Sequence, residues 1–244
     1  MRRLLTSTLL VILLTALSGL SASATVTITS ADRFVSVFPS GGAEMKSQSV
    51  ATTGNFFDMK EVFALPGEGD NDGSLYADQD TTFSGLTVFG FGKIFIQGSN
   101  PEPPGFGGTA ESSVTINFLL SETTAYTLSG LLNELEDGGS AFAQATLLDS
   151  LLSPIFDFQT TADDPVLLLS DSGSLAAGVY TLQVKSFGVG SAEQNFFDLA
   201  GFDFNFELVE QQVVPEPASM AVWTLIGVSF IGVHRWRRRT SASV

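Results

Sequence analysis

The sequence has no cysteine and a single histidine in 244 residues. Disulfides, thiolate nucleophiles, zinc fingers and iron–sulfur ligation all need a sulfur that is not present, so each is excluded. The one imidazole, His234, lies in a basic C-terminal stretch. The rest of the chain therefore holds neither a Ser-His-Asp triad nor a histidine metal site. Basic residues are also few, 11 against 26 acidic ones, giving a formal charge of −15 and a pI near 4.2. The two tryptophans, Trp223 and Trp236, both fall in the last stretch of the chain.

The two ends read as targeting segments rather than fold. Arg2 and Arg3 precede an apolar run from Leu4 to Leu20, and Ala22-Ser23-Ala24 supplies the small residues of a signal-peptidase site. Residues 1–24 are expected to be a signal peptide cut after Ala24. An uncleaved anchor is the alternative, but the immediate switch to Val26-Thr27-Ile28-Thr29 favours removal. At the other end, Val214-Pro215-Glu216-Pro217-Ala218-Ser219 leads into an apolar run from Met220 to Val233, then into His234-Arg235-Trp236-Arg237-Arg238-Arg239. From Ala218 to Val233 a helix would be about 24 Å long, short of the ~30 Å hydrocarbon core. It spans if the arginines snorkel or the bilayer thins. A core helix would show a polar stripe, and this run has only Thr224 and Ser229. Arginines flank both apolar runs on the outer side, so both ends favour the cytoplasm and the middle is exported.

This order of features resembles the PEP-CTERM sorting signal of Gram-negative bacteria. The resemblance implies that an exosortase, an integral membrane protease and transpeptidase, is the processing partner. It implies Val214, Pro215, Glu216 and Pro217 as the sorting motif, Met220 to Val233 as the transmembrane helix, and Arg235, Arg237, Arg238 and Arg239 as the cytoplasmic stop, within residues 214–239. Pro101-Glu102-Pro103 has no apolar run behind it and reads as loop. The same tail has been grouped with ice-binding proteins, although it is not the part that would touch ice. The family is associated with biofilm-forming, exopolysaccharide-producing cells, so the resemblance implies a cell-surface or extracellular-matrix protein, anchored in the inner membrane as a precursor.

The exported remainder, residues 25–213, carries 25 acidic and five basic side chains (Arg33, Lys46, Lys60, Lys93, Lys185), a charge of −20. Such a charge repels nucleic acid and anionic lipid and favours divalent cations. Period-two alternation dominates it. Val114, Ile116, Phe118 and Leu120 alternate with Thr115, Asn117 and Leu119, and Phe202, Phe204, Phe206 and Leu208 alternate with Asp203, Asn205 and Glu207. Leu86 to Gln97 reads as one long bent strand or two short ones, with Gly90 and Gly92 where a bend would sit. Shorter candidates are Val26 to Thr29, Phe34 to Phe38, Ala141 to Leu148, Ile155 to Gln159, Val166 to Leu169 and Val179 to Val184. Ser129 to Glu136 reads as a short helix or equally as a strand and turn. Asp171 to Gly178 reads as a turn, and Leu175-Ala176-Ala177-Gly178-Val179-Tyr180-Thr181-Leu182 resembles the pre-strand turn of many exported bacterial β-sandwiches. The expected fold is all-β, an antiparallel sandwich of seven to ten strands, jelly-roll-like.

The best chemical candidate is the acidic stretch Glu68 to Asp80, where Asp70, Asp72, Asp78 and Asp80 alternate with an amide and glycines. Such oxygens suit a hard cation, so calcium is the candidate cofactor. An EF-hand register fails because Gln79 falls at the position of the bidentate Glu. A solvated Asp/Gly turn explains the stretch without a metal. Asp163 and Asp164 are a smaller version of the same pattern. No carboxylate pair is singled out for glycosidase chemistry, so the chain reads as non-enzymatic. All phenylalanines but Phe230 fall in the exported part, and at strand spacing they read as core; Tyr180 also reads as buried. Tyr76 is the one aromatic placed near a site, as a platform for exopolysaccharide. Thr25, Thr27 and Thr29 form a short ladder that an N-terminal edge strand explains. The expected role is structural or adhesive, with carbohydrate binding as the alternative.

Overall fold

The alternation along residues 25–213 resolves into twelve strands among the described residues: β1 (Val26–Pro39), β2 (Lys46–Ala51), β3 (Phe56–Phe63), β4 (Gly73–Ser84), β5 (Thr87–Gly98), β6 (Gly108–Leu120), β7 (Thr124–Leu135), β8 (Ser140–Leu148), β9 (Pro154–Gln159), β10 (Val166–Leu175), β11 (Gly178–Gly190) and β12 (Phe196–Val209). The structure, a computed structural model, describes residues 25–39, 45–51, 54–63, 73–98, 107–190 and 195–209. Signal-site residues Ala22 and Ala24, Asp70, Asp72, the Pro101 to Pro103 segment and everything from residue 210 onward, including the sorting motif and its arginines, lie outside them.

The strands form two six-stranded sheets, β2-β1-β6-β11-β8-β9 and β10-β7-β12-β5-β4-β3. All pairings are antiparallel. The inner faces meet over one apolar core, so the protein is a β-sandwich. From β5 onward the chain crosses repeatedly between sheets, and the last two strands return beside the first two of that stretch, β11 on β6 and β12 on β5.

Alternation fills the core from both sides. β6 turns Val114, Ile116, Phe118 and Leu120 inward, and β12 does the same with Phe202, Phe204, Phe206 and Leu208. Each such side chain contributes roughly 1.5–3 kcal/mol on full burial. The rings need room, and glycine supplies it. Gly90 and Gly92 of β5 face inward opposite Phe204 and Phe202, whose rings lie 2.2 Å from where a Cβ would stand. Phe118 stacks with Tyr180 at 5.6 Å and meets Phe206 at 5.8 Å, tying the two sheets together.

Several sequence expectations are corrected. There are twelve strands among the described residues, not seven to ten. Val26 to Thr29 and Phe34 to Phe38 belong to one strand, β1, interrupted by a bulge between Ile28 and Ser30. That bulge breaks the threonine ladder, and the Thr29 hydroxyl donates to the Asn117 carbonyl. Of the two readings of Leu86 to Gln97 the single strand holds, as β5 from Thr87 to Gly98, with Leu86 left in the preceding turn. Of the two readings of Ser129 to Glu136 the strand holds and the helix does not, because Leu128, Leu132 and Glu134 alternate inward along β7, which runs to Leu135. Asp171 to Leu175 is strand rather than turn, since β10 pairs with β7 as far as Leu175; the turn is Ala176-Ala177, and the Tyr180 hydroxyl donates to the Ala176 carbonyl at 2.9 Å. The phenylalanines are not all core, as Phe38, Phe57, Phe89, Phe91 and Phe197 are exposed.

Candidate functional site

Register turns those exposed rings into rows. Residues paired across neighbouring strands share a face, so one outward row of the second sheet reads Phe57 (β3), Asp80 (β4), Phe91 (β5), Asp203 (β12), Leu131 (β7) and Leu168 (β10). The next reads Met59, Asp78, Lys93, Gly201, Asn133 and Val166, and the one after it Glu61, Tyr76, Phe95, Leu199 and Leu135. Phe57 is 71% exposed and Leu168 74%, at the two edges of the face. Phe95 and Phe197 meet edge to face at 5.1 Å. The face is therefore apolar and aromatic, with carboxylates set between the rings.

Towards the β3 edge the Tyr76 hydroxyl donates to Asp78 Oδ2 at 2.5 Å, and Lys93 is the Asp78 partner on β5. Burial among these neighbours pushes the Asp78 carboxyl above its ordinary range, although the Tyr76 bond and the Lys93 charge pull it back. Burial and the adjacent carboxylates push the Tyr76 phenol up, so it stays a donor at any physiological pH. An uncharged donor, a shielded carboxylate and a lysine on a flat aromatic field can bind a polar, hydrogen-bonding ligand.

The opposite outer face is different in kind. Ser30, Asn117 and Thr181 form a chain across β1, β6 and β11, with Asn117 Nδ2 donating to Ser30 Oγ at 2.8 Å and Thr181 Oγ1 donating to Asn117 Oδ1 at 2.6 Å. Gln144 Nε2 and Thr146 Oγ1 both donate to Asp157 Oδ1 at 2.8 Å, and the Lys185 ammonium lies 4.9 Å from the Phe142 ring centre. These groups satisfy one another within the sheet.

The sequence candidates are placed as follows. Asp78 and Asp80 stand two apart on β4, with side chains on the aromatic face, in a strand rather than in the loop expected for them; Gly73 to Ser84 pairs with β3 and β5 throughout most of its length. Tyr76 is on that same strand. Asp163 and Asp164 lie in a tight turn closed by a Thr161–Asp164 bridge. Among the described residues no three histidine or acidic side chains are grouped to hold a metal ion. Sequence reasoning named Tyr76, Asp78 and Asp80 but missed Phe57, Phe91, Lys93 and Asp203, which only strand register brings beside them.

No family model matches the chain, and no curated protein does. Among solved structures, similar chains occur in those titled as the infectious bursal disease virus Gt and Gx strains, with 9% identity in both and TM-scores of 0.28 and 0.25. The matches cover 79% of this chain and 58% of each viral chain, so this chain spans less than two thirds of their length.

Proposed function

We propose that the protein is a non-catalytic, exported surface or matrix protein whose β domain adheres through the outer face of the β10-β7-β12-β5-β4-β3 sheet. The observation that carries the reading is the row Phe57–Asp80–Phe91–Asp203–Leu131–Leu168. An apolar field of this breadth on a β domain whose residues 25–213 carry a charge of −20 has no use in keeping the protein soluble, and such patches mark interaction sites. The export route, with exosortase as partner and the inner membrane as first anchor, rests on the Val214 to Pro217 motif, the Met220 to Val233 run and the arginine cluster. The strand order supports a finer description of the fold. Strands β5 to β12 sit as β5-β12-β7-β10 over β6-β11-β8-β9, the arrangement of two interlocked Greek keys, and this body reads as a jelly roll with β1–β2 and β3–β4 added at one side.

Exopolysaccharide as the ligand is favoured by one feature, the alternation of rings with carboxylates. Sugar C–H faces stack on rings while hydroxyls donate to flanking Asp80 and Asp203. The test is retention of the protein on the host's insoluble exopolysaccharide. Replacing Phe57 and Phe91 together by Ser is expected to reduce retention at least tenfold with an unchanged melting temperature. Undiminished retention of that variant would sink this face as the binding surface. For the route, deleting Pro215 to Pro217 is expected to leave a longer polypeptide by intact mass, held in the inner membrane; an unchanged mass and surface distribution would refute motif-directed sorting.

A further inference from the structure

We infer that the end of the sandwich from which the chain leaves at Val209 is a membrane-contacting corner, with Leu151 and Leu152 as the side chains that enter a zwitterionic lipid surface. The inference rests on the tail-anchored export reading above.

The β8–β9 turn is built by its own polar groups. Asp149 Oδ1 accepts the N–H of Leu151 at 2.8 Å and of Ser153 at 2.9 Å, while the Asp149 N–H donates to the Ser153 carbonyl and the Leu152 N–H to the Asp149 carbonyl, both at 3.0 Å. Neither leucine side chain contributes to that closure. Leu151 is 82% exposed and Leu152 73%. Leu152 also has φ +60°, the one non-glycine residue in the left-handed region among the described residues. Glycine or asparagine would suit that backbone better, and a branched apolar residue held there against preference points to a use outside the fold.

The two leucines have apolar company. Leu119 and Val179 are Cα partners on the outer face of β6 and β11, at the same end of the sheet, and both are exposed. Ile155, the extra residue of the β8–β9 bulge, is exposed beside them in sequence. Both Thr25, which bonds Ser121 at the end of β6, and Val209, paired with Ala125 at the start of β7, lie at this end. Ten residues, 210–219, separate Val209 from the apolar run that starts at Met220. Fully extended, they reach about 35 Å. A tail seated in a bilayer therefore tethers Val209 within that reach of the start of the run.

Charge sets the same orientation. Glu134, Glu136, Asp137, Asp163, Asp164 and Asp198 gather at the opposite end, where β7 meets β8 and β9 meets β10. Among the described residues the acids near the exit end are Glu122, Asp149, Asp157 and Glu207, of which Asp149 is engaged by its turn and Asp157 accepts from Gln144 and Thr146. A bilayer low in anionic lipid meets the least repulsion at the leucine corner.

The absence of cysteine makes the test direct. In the full chain, Leu151→Cys and Leu152→Cys are each labelled with an environment-sensitive fluorophore, with Ser140→Cys at the far end as control, and added to phosphatidylcholine vesicles containing doxyl-labelled lipid. The expected result is co-flotation of all three, with a blue shift and at least twofold quenching at positions 151 and 152 and neither at 140. Co-flotation without quenching at 151 and 152 would overturn the corner while leaving the tail as anchor. Failure to co-float would overturn the tail-anchored reading and the corner with it.

Discussion

Arg33 stands on β1 between Ala31 and Val35, at an inward position where alternation reserves an aliphatic side chain, and it is fully buried. Its guanidinium carbon lies 5.2 Å from the Phe56 ring centre and 5.7 Å from that of Phe83, and the guanidinium donates to the Gly54 carbonyl. Burial lowers its pKa and Asp32 opposes that shift, yet a guanidinium keeps its proton at any working pH. The cation is thus held by two ring faces and a carbonyl, joining β1 of one sheet to β3 and β4 of the other. Arg33→Ala removes the stacked plane and leaves the Gly54 carbonyl without its donor, at a cost of about 3 kcal/mol. Arg33→Lys keeps the charge but not the flat fork that lies between rings, so it is expected to fall between the two. Urea unfolding midpoints decide it; an alanine variant as stable as the wild type would show that the pocket closes without the arginine. In the sequence Arg33 was legible only as one of five positive charges, because nothing in local spacing tells a buried cation from a solvated one.

At the scale of elements, the glycines of the β4–β5 hairpin separate two uses of the same residue. Gly85, in the β4–β5 turn, has φ +63° and no atom within 4 Å of a built Cβ, so Gly85→Ala costs only backbone strain, about 1 kcal/mol. Gly92 lies under Phe202, and a Cβ there would also stand 2.5 Å from Ser112 Oγ. Gly92→Ala forces the ring or the sheet to move, at about 3 kcal/mol. Equal melting-temperature losses for the two variants would contradict the packing account. Strands with a clean apolar face, β6 and β12, were readable from alternation over their second halves, Val114 to Leu120 and Phe202 to Leu208, but not over Gly108 to Ser113 or Phe196 to Gly201. β7 was not, because Leu131 and Leu135 face outward while Leu128 and Leu132 face inward, which blurs period two into something helix-like. β2 and β4 were hidden by polarity: β2 is exposed along most of an edge, and β4 buries Gln79 and Thr81 where an apolar residue would have signalled a strand. The aromatic face escaped for a related reason. Alternating Phe89, Phe91 and Phe95 reads as a core stripe until the pairing shows that Val88, Ile94 and Ile96 already fill the inner side of β5.

For the molecule as a whole, three carboxyls decide how stability responds to pH. Asp78, Glu134 and Asp198 are all raised, each first by burial. Asp198 is fully buried at the β7–β8 turn, accepts the Asp137 N–H at 3.0 Å, and feels Glu136 and Asp137; Glu134 accepts the Thr160 hydroxyl and feels Glu136. An acid whose folded pKa lies above its unfolded value binds more protons when folded, so stability falls as pH rises from the unfolded value through the folded one. The window opens near the ordinary values of 3.8 for Asp and 4.5 for Glu and extends upward to the raised values. Mutual repulsion within a domain of charge −20 acts in the same direction. The melting temperature is therefore expected to be highest at about pH 4–5 and to decline towards pH 8. Salt separates the two causes: 0.5 M sodium chloride, with a Debye length of about 4 Å, should flatten the part due to surface charge and leave the part due to buried carboxyls. Asp198→Asn removes one of those carboxyls while its amide oxygen still accepts the Asp137 N–H, so it should match the wild type near pH 5 within about 1 kcal/mol and lose less on going to pH 8. A variant that declines as steeply as the wild type would show that Asp198 stays ionised at both pH values and that its turn, rather than its proton, is what the fold requires.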